Sequence, residues 1–477
     1  MKLARVIASL SVGDVVSSNT RGDSVMTGWY ETTFRRVLYP AYESGVMRRR
    51  TLSWLDEYEH SQWLSPPQIA ELQWTRLKRL LEHCYREVPF YQRQWRELGI
   101  TPDDIRSLDD YARLPLLTKA DIRNHADELK ATSWRSHMLY KTTSGSTGEP
   151  MRFGFTRESN ERRQAVMWRG YGWANAFPGR RSLMLWGAGV GSSSLKRRWK
   201  DRLYHAAFGR RIVNSFQMTE ANMGEYADLI DSYRPEILLG YFSPLLRLAQ
   251  WLLSNGRRVH RPKAFVVCGE AMHDFQRQIV EEAFGCPAFN TYGCREFMLI
   301  AAECEQRKGM HVNADHLLVE RLPPNGATLN ALTGEAVITD LFNYGMPFVR
   351  YATGDLITAS AEPCVCGRGL PLITQVEGRM LDAIRTPEGH ILTGMFFPFL
   401  LKEVPGVNQY QIVQRQLDRL DLLLVRGKAF NDDSLAMIRR EIHKVLGDSI
   451  ELNFQFVDEI PLTRSGKTRL TISELPP

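Results

Sequence analysis

Short apolar runs alternate with amphipathic stretches along much of the chain. Ser182–Trp186, Ile237–Gly240 and Ala264–Cys268 are apolar runs of strand length, and Met223–Ser232 and Pro244–Asn255 carry apolar positions at helical spacing. That alternation predicts an α/β architecture with helices packed on sheets. Ahead of it, Leu52–Gly99 is rich in Leu, Trp, Glu, Gln and Arg. Ser65-Pro66-Pro67 reads as a helix start. Ile69, Leu72, Leu77, Leu80, Leu81 and Cys84 fall on one face, and Val88-Pro89-Phe90-Tyr91 ends the helix. From Thr328 strand patterns take over, at Ala336–Asp340 and Phe348–Tyr351, before a Gly-dense segment to Gly378. After Arg379, strands at Tyr410–Gln414 and Arg419–Val425, a helix near Asp432–Leu446 and a strand at Glu451–Val457 form a separate α+β pattern of roughly a hundred residues. The expected division is a disordered leader over 1–25, a large domain over 26–378 opened by a helical segment, and a small α+β domain over 379–477.

Composition adds limits. The chain has 477 residues, 43% apolar and 24% charged, as in soluble globular proteins of more than one domain. A net charge of +7 suits an anionic small substrate and does not demand nucleic acid, so nucleic acid is not an expected partner. Seven cysteines without paired spacing argue for a reducing, cytoplasmic compartment. Lys2 and Arg5 precede a weak apolar run that Gly13 and Asp14 break, a poor secretion signal; the protein proper is expected to begin near Met26. Leu195, Trp199 and Leu203 recur every four residues among Lys196, Arg197, Arg198 and Lys200. The plain reading is an amphipathic helix with a basic outer face; the sharper one sets that face against an anionic membrane or a charged glycan.

The densest chemistry lies in Thr142-Thr143-Ser144-Gly145-Ser146-Thr147-Gly148-Glu149-Pro150. Glycines let backbone N–H groups turn inward and hydroxyls add short-reach donors, a combination suited to polyphosphate. No Gly-Lys-Ser/Thr follows, which sets it apart from a Walker A loop. Four stretches downstream join it: Cys268-Gly269-Glu270-Ala271, Thr291-Tyr292-Gly293-Cys294-Arg295-Glu296, Tyr351-Ala352-Thr353-Gly354-Asp355-Leu356 and Pro461-Leu462-Thr463-Arg464-Ser465-Gly466-Lys467.

In this order the set resembles the adenylate-forming superfamily. It is most similar to the phenylacetate–CoA ligase branch and its capsular-polysaccharide-associated, CapK-like members, to which Gln62-Trp63, Val88-Pro89-Phe90-Tyr91 and Tyr292–Phe297 also point. The resemblance runs from about Leu38 to the C-terminus. It implies an ATP-dependent ligase that makes acyl-AMP and pyrophosphate from a carboxylic acid, with a mobile C-terminal lid. By resemblance Ser144, Gly145, Ser146, Thr147 and Gly148 hold phosphates, and Glu296 supports Mg²⁺. Gly269, Glu270, Ala271, Tyr292 and Gly293 border adenine, Asp355 accepts the ribose hydroxyls, and Arg379 assists at ribose or phosphate. Lys467 bridges the substrate carboxylate and the α-phosphate, and Asp382 marks the hinge. Tyr241, Phe242 and Ser243, after a predicted strand, are candidates for the acyl pocket.

Three features depart from the branch. Arg295 replaces a small or hydroxyl residue, Glu149 stands where many relatives carry lysine, and Thr386-Pro387-Glu388-Gly389-His390 replaces a Gly-Val-Asn pattern in the region that admits the thiol acceptor. CoA, another thiol, and an amine or hydroxyl on a saccharide therefore all stay open as acceptor. Two other functions remain: an adenylyltransferase placing AMP on an acceptor hydroxyl, and a nucleotide-binding scaffold in polysaccharide assembly. Separately, Cys304, His311, Cys364 and Cys366 supply three thiols and an imidazole, a set suited to structural Zn²⁺, with His316 in reserve. Cys84, Cys268, Cys286 and Cys294 are expected in the core.

Overall fold

The computed structural model describes residues 29–143, 151–186, 204–215, 218–323, 332–379, 384–387, 391–392, 396–401, 404–460 and 469–475. Helix α1 (Thr51–Ser61) leads into the predicted helix, α2 (Pro66–Glu87). Ser65 opens α2 through a capping box with Gln68, and Pro66 and Pro67 occupy first-turn positions where no N–H is needed. Ile69, Leu77, Leu80, Leu81 and Cys84 face the core. Pro89 ends α2 by denying it a donor and at once starts α3 (Pro89–Glu97), which the apolar pattern alone left unread.

A hairpin, β1 (Leu139–Thr142) with β2 (Arg152–Phe155), precedes the long helix α4 (Arg157–Trp173). The three apolar runs then appear as β3 (Ser182–Trp186), β5 (Ile237–Tyr241) and β6 (Ala264–Cys268), joined by β4 (Arg210–Asn214) and β7 (Ala288–Phe289). They form a parallel sheet in the order β4-β3-β5-β6-β7. Helices α5 (Met223–Tyr233), α6 (Phe242–Ser254) and α7 (Asp274–Phe284) cover it. Near-continuous Val, Leu and Phe in its strands follows from burial on both faces.

After Asn290 the chain enters a second sheet, through β8 (Thr291–Tyr292), β9 (Ala301–Glu303), β10 (Met310–Val312), β11 (Leu317–Leu322), β12 (Thr333–Asp340), β13 (Tyr351–Ala359) and β14 (Leu372–Arg379). All its pairings are antiparallel, in the order β11-β12-β13-β14-β10-β9-β8. The strand expected at Phe348–Tyr351 begins only at Tyr351. Arg350 instead takes φ 53° and sends its guanidinium to the carbonyls of Ala112 and Leu114 and to Glu320. That tertiary demand overrides an apolar strand pattern.

The last segment has a core of its own. Sheet β17-β16-β15-β18 comprises β15 (Val407–Gln416), β16 (Arg419–Arg426), β17 (Glu451–Phe456) and β18 (Thr471–Ser473). Helix α8 (Asp432–Leu446), capped by Asn431, packs Ile438 and Ile442 against Ile412, Leu420, Leu422 and Leu424. Among the described residues no helix is long and apolar enough to cross a membrane.

Helix α4 buries three arginines, which its lack of a clean apolar stripe concealed. Arg163 pairs with Asp340 at 2.6 Å, and Arg162 lies between the rings of Trp54 and Phe342, 3.5 and 3.9 Å from their centroids. Arg169 grips both oxygens of Asp315 at 2.5 and 2.8 Å, and donates to Asn313 Oδ1 and the Tyr58 carbonyl. Arg169→Lys keeps a charge beside Asp315 but loses the planar fork. A stability loss of about 1–3 kcal/mol is expected in urea unfolding; a loss near zero would contradict the fork's role. His316, the reserve zinc ligand, belongs to this region. Its Nδ1 lies 2.8 Å from the Tyr58 hydroxyl, its ring stacks on Phe342, and burial lowers its pKa to about 4.

Candidate functional site

The parallel and antiparallel sheets are joined at Asn290, between β7 and β8, and most of the motif residues collect near that passage. Carboxyl ends of parallel strands are where open α/β sheets present ligand groups. Trp186 ends β3, Tyr241 ends β5, and Gly269-Glu270-Ala271 follow β6. Trp186 and Tyr241 stack with centroids 4.6 Å apart and planes 24° apart, forming an aromatic wall. Ser243, in the first turn of α6, donates its backbone N–H to Glu270 Oε2 at 2.8 Å and its hydroxyl to the same oxygen. Phe242 is buried in the core beneath α6.

Strands β8 and β9 flank a closed turn, Gly293–Ile300, held by Met298 N–H to Cys294 O at 2.7 Å and Ile300 N–H to Tyr292 O at 2.8 Å. A Cβ on Gly293 would lie 2.1 Å from the Met298 carbonyl oxygen, so only glycine fits. The turn presents Arg295 to solvent and turns Glu296 inward, where it is 7% exposed. Tyr351 donates its hydroxyl to Glu296 Oε1 at 3.1 Å. Burial and the carboxylate together hold the Tyr351 phenol protonated, far above its ordinary range. Tyr292 donates to Asp355 Oδ2 at 2.9 Å, while Asp355 pairs in register with Arg379 across β13 and β14. Two motif carboxylates, Glu296 and Asp355, are thus each oriented by a tyrosine from another motif. Neither tyrosine contact is legible in the sequence, because each joins residues more than fifty positions apart, 63 for Tyr292–Asp355 and 55 for Tyr351–Glu296. Ser144, Gly145, Ser146, Thr147, Gly148, Asp382 and Lys467 lie outside the described residues, as does the basic stretch 187–203.

The four metal-ligand candidates meet. The Sγ atoms of Cys304, Cys364 and Cys366 and a ring nitrogen of His311 all lie within 4.8 Å of one another. Cys304 and Cys364 Sγ are 3.8 Å apart, and Cys366 Sγ is 3.3 Å from His311 Nε2. Tetrahedral zinc with Zn–S near 2.3 Å and Zn–N near 2.0 Å requires edges of about 3.5–3.8 Å. His311 Nδ1 faces the Leu370 carbonyl at 3.1 Å, which leaves Nε2 for a metal. The Gln306 and Arg368 backbone N–H groups point at the sulfurs of Cys304 and Cys366. Arg368 ties the cluster to Glu305 and Gln62, and Gln62 accepts from the Trp173 indole at 3.0 Å. Gly369 passes so close to Leu64 that a Cβ would lie 1.9 Å from its carbonyl oxygen. His316 stands apart from this cluster.

A family model for the CapK C-terminal domain matches residues 384–474. A phenylacetate-coenzyme A ligase of Thermus thermophilus is 31% identical over 362 residues, covering 74% of this chain and 80% of the relative. The chain belongs to the phenylacetate–CoA ligase family. Protein CapK of Staphylococcus aureus is 23% identical over 85% of this chain and 90% of its own length. A phenylacetate-coenzyme A ligase of Escherichia coli is 27% identical over 85% of this chain and 95% of its own. Among solved structures, 2-hydroxyisobutyryl-CoA ligase in a postadenylation state with an acyl-AMP superposes with a TM-score of 0.66 at 21% identity, over 84% of this chain and 88% of that one. The shared fold is that of adenylate-forming CoA ligases with a C-terminal domain.

Proposed function

We propose that the protein activates a carboxylic acid with ATP and passes the acyl group to CoA or another acceptor. A carboxylate oxygen attacks the α-phosphorus, the bond to the bridging oxygen breaks, and pyrophosphate leaves with that electron pair. The acceptor's thiol, amine or hydroxyl then attacks the acyl carbonyl, loses its proton, and AMP departs. The observation that carries this reading is the paired arrangement of Glu296 with Tyr351 and Asp355 with Tyr292, beside the ends of β5 and β6. Family membership supports it, and the CapK relatives support a role near polysaccharide assembly.

In this reading Asp355 accepts the ribose hydroxyls, with Arg379 alongside, and Tyr292 both orients Asp355 and closes the adenine side with Gly269–Ala271. Glu296 fits a hard cation, since Tyr351 occupies one carboxylate oxygen and fixes the plane of the other. Mg²⁺ bound there would neutralise phosphate charge. Ser144, Ser146, Thr147 and their glycines hold phosphate, and Trp186, Tyr241 and Ser243 border the acyl group. Residues 379–477 act as the lid carrying Lys467, turning at Asp382 between half-reactions. Cys304, His311, Cys364 and Cys366 hold a structural Zn²⁺ that clamps the β9–β10 and β13–β14 connections.

The test is pyrophosphate exchange into ATP over a panel of aryl, fatty, hydroxy and amino acids. Exchange that depends on one acid is expected. No exchange with any acid, with AMP found on a saccharide acceptor, would replace this reading by adenylyl transfer. ATP binding with neither reaction would leave a scaffold.

A further inference from the structure

The Gln62-Trp63 pair, which the candidate site does not use, opens onto a cleft of about 360 Å³. Glu59, His60, Gln62 and Trp63, from the end of α1 and the turn after it, face Trp173 and Phe177 at the end of α4. No candidate-site residue lines this cleft. Its frame is fixed by hydrogen bonds. Gln62 Oε1 accepts from the Trp173 indole and from Arg368 Nε, both at 3.0 Å, and its amide donates to the Glu59 carbonyl at 2.9 Å. A Cβ at Gly367 would touch the Trp63 ring at 4.0 Å, and the Arg368 guanidinium sits 4.7 Å from the ring's centroid. Trp63 is nevertheless 53% exposed. An indole held in place yet left open to water is a preorganised contact surface.

The charges around the cleft narrow the class of ligand. Each ring already carries a guanidinium: Arg368 for Trp63 and Trp173, at 4.7 and 5.1 Å, and Arg35 for Phe177, at 4.0 Å. Neither of these arginines lines the cleft, so both cations sit behind the rings. A cationic ligand would meet aromatic faces whose negative potential is already compensated. Arg169 does line the cleft, but Asp315 neutralises it. The polar groups left at the mouth are acceptors. The Glu59 carboxylate has no partner among the described residues. His60 Nδ1 lies 2.7 Å from the Asp56 carbonyl, which can only accept, so in the uncharged ring Nδ1 holds the proton and Nε2 keeps its lone pair. An anionic ligand would face a carboxylate and a lone pair with no free cation beside them. What fits is an uncharged ligand with several hydroxyl donors and one apolar face. We infer that the cleft binds a neutral saccharide, a sugar ring's C–H face lying on Trp63 and Trp173 and its hydroxyls donating to Glu59 and His60. The site goes beyond the ligase reading and needs neither ATP nor an acid. A glycan held there leaves the nucleotide side open.

The test is calorimetric titration of cellobiose, lactose, maltotriose and N,N′-diacetylchitobiose into the wild type, Trp63→Ala and Glu59→Ala. At least one of these sugars is expected to bind the wild type, with saturation transfer from the protein to its C–H protons in NMR spectra. Trp63→Ala should weaken that binding roughly tenfold or more, through loss of the stacking face. Glu59→Ala should weaken it by about the same factor, through loss of a charged hydrogen-bond partner. Both side chains are exposed, so neither change should move the melting temperature or the affinity for ATP, which controls for folding. Failure of every sugar to bind the wild type at millimolar concentration would overturn the inference. So would sugar binding that both variants retain in full, which would place it elsewhere on the chain. Trigalacturonic acid and adenosine complete the panel. Preference for the acidic trisaccharide would overturn the neutral assignment, and adenosine binding lost in Trp63→Ala would reassign the cleft to a nucleobase.

Discussion

Glu296→Gln is expected to lower acid-dependent ATP–pyrophosphate exchange by about two to three orders of magnitude. The melting temperature should stay near that of the wild type. The substitution is nearly isosteric, and the amide oxygen can still accept the Tyr351 hydroxyl that now reaches Glu296 Oε1 at 3.1 Å. What disappears is the negative charge. A hard cation that needs carboxylate oxygen would lose its protein anchor, and charge developing on the phosphates would lose the cation. Tyr351→Phe separates orientation from charge. It keeps the carboxylate, frees its rotation, and should cost less, roughly tenfold. Raising Mg²⁺ should recover part of the Tyr351→Phe loss and none of the Glu296→Gln loss. Equal exchange in wild type and Glu296→Gln at low Mg²⁺ would remove Glu296 from metal support. Lys467→Ala run alongside tests the lid's contribution, because it should stop adenylation while leaving nucleotide binding measurable.

How much of this was legible in the chain depends on how local each feature is. The helix at Asp432–Leu446 was readable because its cap, its acidic first turn and its apolar spacing lie within one short stretch. The strands β3, β5 and β6 were readable because burial on both faces makes them continuously apolar. Gly293 was recognisable within its motif, but its reason, the Met298 carbonyl packed against it, was not. The arginines of α4 were invisible for a related reason. Their partners, Asp315 and Asp340, are 146 and 177 residues away, and a charged residue on a helix reads as solvated unless its distant partner is known. Separations of 55 and 63 residues likewise hid the Tyr351–Glu296 and Tyr292–Asp355 contacts, and with them the fact that the motif carboxylates are held by aromatic hydroxyls.

Protein purified without chelator is expected to carry about one zinc per chain by elemental analysis. Removing that zinc should cost at least about 4 kcal/mol of stability, the linkage energy when free metal exceeds its dissociation constant a thousandfold. The four ligands come in pairs from two hairpins, Cys304 just after β9 with His311 in β10, and Cys364 with Cys366 between β13 and β14. Without an ion, three thiols and an imidazole packed within 4.8 Å offer each other only weak hydrogen bonds. With one, they close both hairpins and fix Arg368 on Glu305 and on Gln62, and Gln62 in turn holds Trp173 at the end of α4. Since β13 carries Asp355, loosening its far end should reach the nucleotide site as well. A strong chelator should therefore lower the melting temperature and weaken ATP binding together in the wild type. In Cys366→Ser, which starts with the clamp broken, the same chelator should change neither. Substituting cobalt for zinc provides a direct readout, because three thiolates and one imidazole in a tetrahedron give intense ligand-field bands. A metal content near zero in protein that melts identically with and without chelator would reject the clamp, leaving the four residues as reduced thiols and a packed histidine.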